Sequence, residues 1–211
     1  YITIASTGNA ADFGDLTSVR ATPAGLASPT RAIAGGGITP SEVNTIDFVT
    51  IATIGNATDF GDLADARRAL SAMSSSTRGV FAGGLSAPAT YHAEVEYITI
   101  ASQGNATDYG DLSLGRTQLT ATSNSVRGIC AGGKTTNPSG PARNEIDYFI
   151  IANGGTALDF GDLTQTRQEI SGTSQAHGGL CDGYQGTRIA PIPTGGGIGQ
   201  RGLALGGTNN S

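Results

Sequence analysis

Apolar and β-branched residues along the chain fall in short runs bounded by Gly, Asn, Asp and Ser, as in 46–52, 96–101 and 146–152. Runs of this length with such boundaries are strands rather than helices. Within them, Tyr97-Ile98-Thr99-Ile100 has no clean polar face, the pattern of a strand covered on both sides. Each such run is followed by a segment of the form Ala-Thr-Asp-Phe-Gly-Asp-Leu. It is preceded by two runs of small residues, one starting at Arg20, Arg67, Arg116 or Arg167, the other at Arg31, Arg78 or Arg127. The second small run closes on paired glycines at 36–37, 83–84 and 132–133. The pattern predicts four strands per unit.

The unit repeats. The Asp that opens each Asp-Phe/Tyr-Gly-Asp-Leu stands at Asp12, Asp59, Asp108 and Asp159, so the period is 47, 49 and 51 residues. Periods in this range belong to solenoids, propellers or arrays. Side-chain size rises along each unit, from Gly, Ala and Ser in the first two strands to Tyr, Ile, Phe and Leu in the last two. Strands that crowd a central axis must be small and those at the rim large, so the grading predicts an all-β propeller of four-stranded antiparallel blades. A solenoid gives no reason for it.

The two ends complement each other. Residues 201–207 copy a second strand with no third or fourth after it, and 1–5 and 10–16 copy a third and fourth with nothing before them. Joined in one blade they would close a ring and remove its open edges. Repeats are expected at about 20–63, 67–112 and 116–163, with a degenerate copy at 167–199 and a closing blade from 201–211 plus 1–16, all in one domain. In the degenerate copy, 177–183 reads as a weak second strand, and Pro191, Pro193 and Gly195-Gly196-Gly197 interrupt the remainder of the copy. The count is five blades with one incomplete; the alternative is four blades plus an insertion.

Composition narrows the function classes. The 211 residues include 33 Gly and no Trp, and carry a net charge of −5. Lys134 is the sole lysine and the arginines form no cluster, which argues against nucleic acid as a partner. No apolar run approaches the ~20 residues of a membrane span, so membrane insertion is not expected. Cys130 and Cys181 fit neither a disulfide framework nor a metal pattern and read as buried free thiols. The sequence starts at Tyr1, inside a repeat and without Met, as a processed chain or a piece of a longer one would.

The first-strand Arg, the glycine pair closing the second strand and the third-strand aromatics Tyr97 and Tyr148 resemble the kelch repeat superfamily. Where kelch repeats have a fourth-strand Trp, this chain has Phe13, Phe60, Tyr109 and Phe160. Tyr-Ile-Thr-Ile followed by Gly-Asn-Ala-Thr-Asp-Phe-Gly-Asp-Leu also resembles kelch-like repeats in virion structural proteins of marine bacteriophages. That resemblance spans 1 to about 167 and the tail from 201. It implies a fibre or surface-decoration role, in a virion or extracellular setting. The partners it implies are a glycan or protein on a cell surface, or other virion proteins.

Several motifs carry no chemistry. Residues 128–135 fit GxxxxGK[ST], but they are the glycine-ended strand of every repeat, and Pro138 and Pro141 stand where a phosphate loop needs a helix. Residues 197–202 match GxGxxG with a strand copy after them. The paired Asp of each Asp-Phe-Gly-Asp turn could hold Ca²⁺. The structural reading is that these Asp cap their own turns and pair with the Arg67-type residues just downstream. With His92 and His177 the only histidines, no catalytic residues and no metal ligands are assigned. Residues that recur serve the scaffold, so ligand contacts are expected in the connections between second and third strands, which vary most. Tyr91, His92, Glu94, Lys134, Arg143, Asn144 and Tyr184 stand there. The expected function is a non-enzymatic structural or adhesive module that binds a glycan or protein on this face. Alternatives are a kelch-type adaptor for a peptide and a sugar-acting enzyme.

Overall fold

The computed structural model describes residues 1–3, 6–135 and 140–174, and the strand 202–208. Among them there is no helix, and the described strands pair antiparallel. The first sheet is β1 (Ala24–Ala27), β2 (Arg31–Gly35), β3 (Thr45–Thr50) and β4 (Thr58–Asp62), in chain order. The second holds β5 (Ser71–Ser74), β6 (Arg78–Ala82), β9 (Glu94–Thr99) and β10 (Thr107–Asp111). A short hairpin of β7 (Leu85–Ser86) and β8 (Thr90–Tyr91) is inserted between β6 and β9. The third holds β11 (Thr120–Ser123), β12 (Arg127–Ala131), β13 (Arg143–Ile150) and the start of β14 (Leu158–Ser174). β14 then runs on to pair with β15 (Gly202–Thr208).

The four strands expected in each repeat are therefore present in all three sheets. The turn between the first two is held locally: Ser28 Oγ accepts from the amides of Thr30 and Arg31, Ser75 Oγ from those of Thr77 and Arg78. Asn124 Oδ1 does the same for Val126 and Arg127. The glycine pairs at the ends of the second strands are required by backbone and space. Gly83 sits at φ 67°, and a Cβ there would stand 2.5 Å from the Arg116 carbonyl oxygen.

Sheets pack face to face. Leu26, Ile33, Ile46 and Phe60 of the first meet Leu70, Phe81, Ile98 and Ile100 of the second. Met73, Val80, Val95 and Tyr109 of the second meet Leu119, Cys130, Phe149 and Ile151 of the third. The second sheet is thus buried on both faces, which is why its third strand lacks a polar side. Cys130 is a buried free thiol; Cys181 lies outside the described residues.

A buried ion pair ties the segment leading into the first strand to the third strand in every sheet. Arg20 meets Asp47 at 3.0 Å, Arg116 meets Asp147 at 2.6 Å, and Arg67 meets Glu96, with each of these side chains nearly or wholly closed to solvent. Each carboxylate also holds the linker entering the sheet. Asp47 accepts from the Thr17 hydroxyl and amide, and Asp147 from those of Ser113. In the second sheet the longer Glu96 accepts the amide of Ala64, which has no hydroxyl to offer. Arg20, Arg67 and Arg116 were expected to pair with the Asp-Phe-Gly-Asp carboxylates, and they pair with third-strand acids instead. A desolvated third-strand acid needs the cation more than an exposed turn acid does. The turn acids cap their own backbone, as expected: Asp12, Asp59, Asp108 and Asp159 accept from the amides of Gly14, Gly61, Gly110 and Gly161.

The rims are laced from sheet to sheet. Gly104 and Ala106 donate to the carbonyls of Phe60 and Asp62 at 2.8 Å, and Gly55 and Ala57 bind Phe13 and Asp15 in the same way. Gly155 and Ala157 do so on Tyr109 and Asp111. Asn56 and Asn105 add a side-chain bond each, to the amides of Asp15 and Asp62. This approach leaves no room for a side chain at Gly61, whose Cβ would collide with the Gly104 carbonyl.

The C-terminal strand falls in an informative place. Ser174 pairs with Gly202, Thr173 with Leu203 and Gly172 with Ala204, the register in which Ser74, Met73 and Ala72 pair with Gly79, Val80 and Phe81. β15 thus occupies, beside the fourth copy of the first strand, the place of a second strand. Residues 177–183, read from sequence as that strand, lie outside the described residues.

Candidate functional site

The four first strands meet around one cavity. Its volume is about 350 Å³, and Gly25, Ala72, Ala121 and Gly172, equivalent residues of the four copies, line it. Small residues here let the strands approach. At one end, serine hydroxyls reach the preceding strand: Ser74 Oγ donates to Ala27 O, Ser123 Oγ to Ser74 O and Ser174 Oγ to Ser123 O, at 2.7–2.8 Å.

At the other end stands a feature that sequence reading missed. Thr22, Ala69, Gln118 and Glu169, two residues after each first-strand Arg, all adopt left-handed backbone, with φ of 53°, 49°, 56° and 55°. For residues other than Gly this costs on the order of 1–3 kcal/mol each. Hydrogen bonds from copy to copy hold them there: Ala69 N to Thr22 O at 3.2 Å, then Gln118 N to Ala69 O and Glu169 N to Gln118 O, both at 3.0 Å. Gln118 Nε2 also donates to Glu169 Oε1 at 2.9 Å. Nothing in the composition of these positions marks them, since they carry four different residues and no glycine; only their equal offset from Arg could have done so.

The variable connections begin at this same end. Ile38, Leu85 and Lys134, where they start, bridge to Ala21, Arg68 and Thr117, each next to a left-handed residue. The described candidate residues therefore stand on connections that start beside the left-handed residues. Tyr91 pairs with Leu85 in the β7–β8 hairpin, and partial burial raises its phenol pKa. Lys134 bridges Ala142, and Arg143 binds Glu145 in a half-exposed ion pair. Burial alone would raise the Glu145 pKa, but the Arg143 hydrogen bond and neighbouring charges bring it below the usual carboxylate range. Asn144 lies half-buried in β13 between them. Glu42 binds Arg68 at 3.1 Å. Tyr184 and residues 136–139 lie outside the described residues.

His92 differs from the rest because it is buried. Its Nε2 lies 2.8 Å from Ser86 Oγ and its Nδ1 3.0 Å from Glu94 Oε2. Burial works to raise the Glu94 pKa, and the backbone hydrogen bonding of Glu94, His92 and Arg67 outweigh it, so the shift is downward. Ser86 and Asp65, neighbours of this imidazole, were not among the sequence candidates.

No protein-family model matches the chain, and no curated protein matches it.

Proposed function

We propose that this chain is a closed β-propeller of four blades, acting as a non-enzymatic structural or adhesive module that binds a glycan or protein at the left-handed end of its hub. The register of β15 on β14 favours four blades over five. It gives the fourth copy its second strand and makes 175–201 the insertion. Residues 1–3 and 10–16 then form the outer half of the fourth blade. Tyr1 donates from its amino group to Ala11 O, the Tyr1 and Phe13 rings stack edge to face, and Phe13 O and Asp15 O take the rim bonds of the first sheet.

One observation carries the binding reading: residues that differ between copies collect where the strained residues lie, while the recurring Arg20, Arg67 and Arg116, their partner acids and the turn-capping Asp residues are engaged in the scaffold. Tyr91, Lys134, Arg143 and Asn144, with Glu42 and Gln118, give this end aromatic, cationic and amide groups suited to a hydroxyl-rich or protein surface. The likeness of the repeat to phage virion proteins supports a particle-surface or extracellular setting. The test is a glycan array probed with the native chain and with Tyr91→Ala and Arg143→Ala. Binding to a glycan class that falls at least tenfold in both variants is expected. Binding that survives both substitutions, or a peptide ligand with no glycan bound, contradicts the adhesive reading.

A further inference from the structure

The second repeat carries, at three equivalent positions, a set of side chains that its sister repeats lack. The equivalence is fixed by shared backbone bonds: Thr45, Glu94 and Glu145 each accept from the first glycine of the pair, while Val43, His92 and Arg143 each donate to the second. The third position lies two residues before the first-strand Arg, at Ser18, Asp65 and Leu114. The first repeat therefore has Ser18, Val43 and Thr45, with no charge. The third has Leu114, Arg143 and Glu145, whose charges cancel in an ion pair. The second has Asp65, His92 and Glu94, two carboxylates around an imidazole, where its sister places a guanidinium.

We infer that Asp65, His92 and Glu94 bind one divalent transition-metal ion of the Zn²⁺ class. Their donor atoms all lie within 4.8 Å of one another. His92 Nδ1 and Glu94 Oε2 are 3.0 Å apart, close to the spacing of two ligands that share one ion at bonds of roughly 2.0–2.2 Å. Imidazole beside carboxylate selects zinc or a similar ion over calcium or magnesium, which take oxygen donors. The other imidazole nitrogen is held by Ser86 Oγ at 2.8 Å, the outer contact that fixes a metal-binding histidine's tautomer with Nδ1 free to ligate.

The frame is rigid. His92 N donates to Gly84 O and Arg116 N to His92 O, while Glu94 O accepts from Gly83 N and Arg67 Nη1. Arg67 is already committed to Glu96, so it does not neutralise the two carboxylates alone. Asp65 and Glu94 are exposed, which gives an ion a path in. Three protein ligands leave a coordination position for water or for an oxygen of a bound partner.

Isothermal titration of the chelator-stripped Cys181→Ser chain with ZnCl₂ tests this without any glycan, so its outcome is separate from that of the binding reading. One saturable ion per chain is expected, weakened at least tenfold by Asp65→Asn and by Ser86→Ala with thermal melts unchanged. Co²⁺ in place of Zn²⁺ is expected to give a visible absorption band that Asp65→Asn abolishes. Absence of saturable binding, or affinity and absorption unchanged in Asp65→Asn, overturns the assignment.

Discussion

Arg116 Nη2 and Asp147 Oδ2 lie 2.6 Å apart, with 0% and 2% of their side chains open to solvent. The pair joins the segment leading into β11 to the third strand of that sheet, β13, and the same contact recurs as Arg20–Asp47 and Arg67–Glu96. Breaking a pair of this kind leaves a buried charge alone. Arg116→Ala is therefore expected to cost about 3–5 kcal/mol in urea unfolding. Arg116→Met combined with Asp147→Leu is expected to recover most of that loss. A cost below about 1 kcal/mol for Arg116→Ala would show that the pair is not what holds these strands.

The left-handed residues give a prediction of opposite sign. Ala69 at φ 49° pays a steric cost that glycine does not, so Ala69→Gly is expected to leave stability unchanged or raise it by up to about 1 kcal/mol. Ala72→Gly, three residues on in the extended strand β5, is expected to lower it by about 0.5–1 kcal/mol. Equal losses at both sites in thermal unfolding would contradict the strain.

Burial pushes the Cys130 thiol from an ordinary 9.0 up to about 12, with Arg116 opposing only in part. A folded-state pKa above the unfolded one gives stability that is whole below pH 9 and lost as pH rises towards 12. The shift corresponds to at most about 4 kcal/mol. In a Cys181→Ser background, the native chain is expected to lose stability faster than Cys130→Ala between pH 8.5 and 10.5. Parallel curves from chemical denaturation would contradict this.

Much of the fold was legible because each strand type repeats with the same marker: Arg opens the second, Gly-Gly follows its end, aromatics fill the third. The first strands were expected to open at Arg20, Arg67 and Arg116 but start four residues later, at Ala24, Ser71 and Thr120. Small-to-large grading placed the first strands together, and in the structure they converge on one cavity. The partner of the first-strand arginines was misread because proximity in sequence favoured Asp62 and Asp111. Strand pairing instead brings Glu96 and Asp147 across the sheet. The copies alone left two blade counts open, since 177–183 and 201–207 both read as second strands; in the structure β15 takes the place of a second strand beside β14.

At the site, His92 and Glu94 were legible as non-recurring residues, although Glu94, expected in the connection, opens β9. Ser86 and Asp65 were not, because each is an ordinary polar residue until the hairpin β7–β8 and the linker bring them against the imidazole. The left-handed positions were invisible for a related reason: backbone strain leaves no mark when four different residues bear it.

Closure of the ring is tested most directly by a disulfide. In the described sheets Val80 faces Tyr97, Ile33 faces Phe48 and Ile129 faces Tyr148. In a four-bladed ring Leu203 therefore faces Tyr1, at the Cα separation of about 4.5–5.5 Å that suits a cystine. The chain carrying Tyr1→Cys and Leu203→Cys in a Cys181→Ser background is expected to form this bond within one molecule under mild oxidation and to melt at higher temperature. Cysteines that stay free, or that link only between molecules, would show that the two ends do not share a blade.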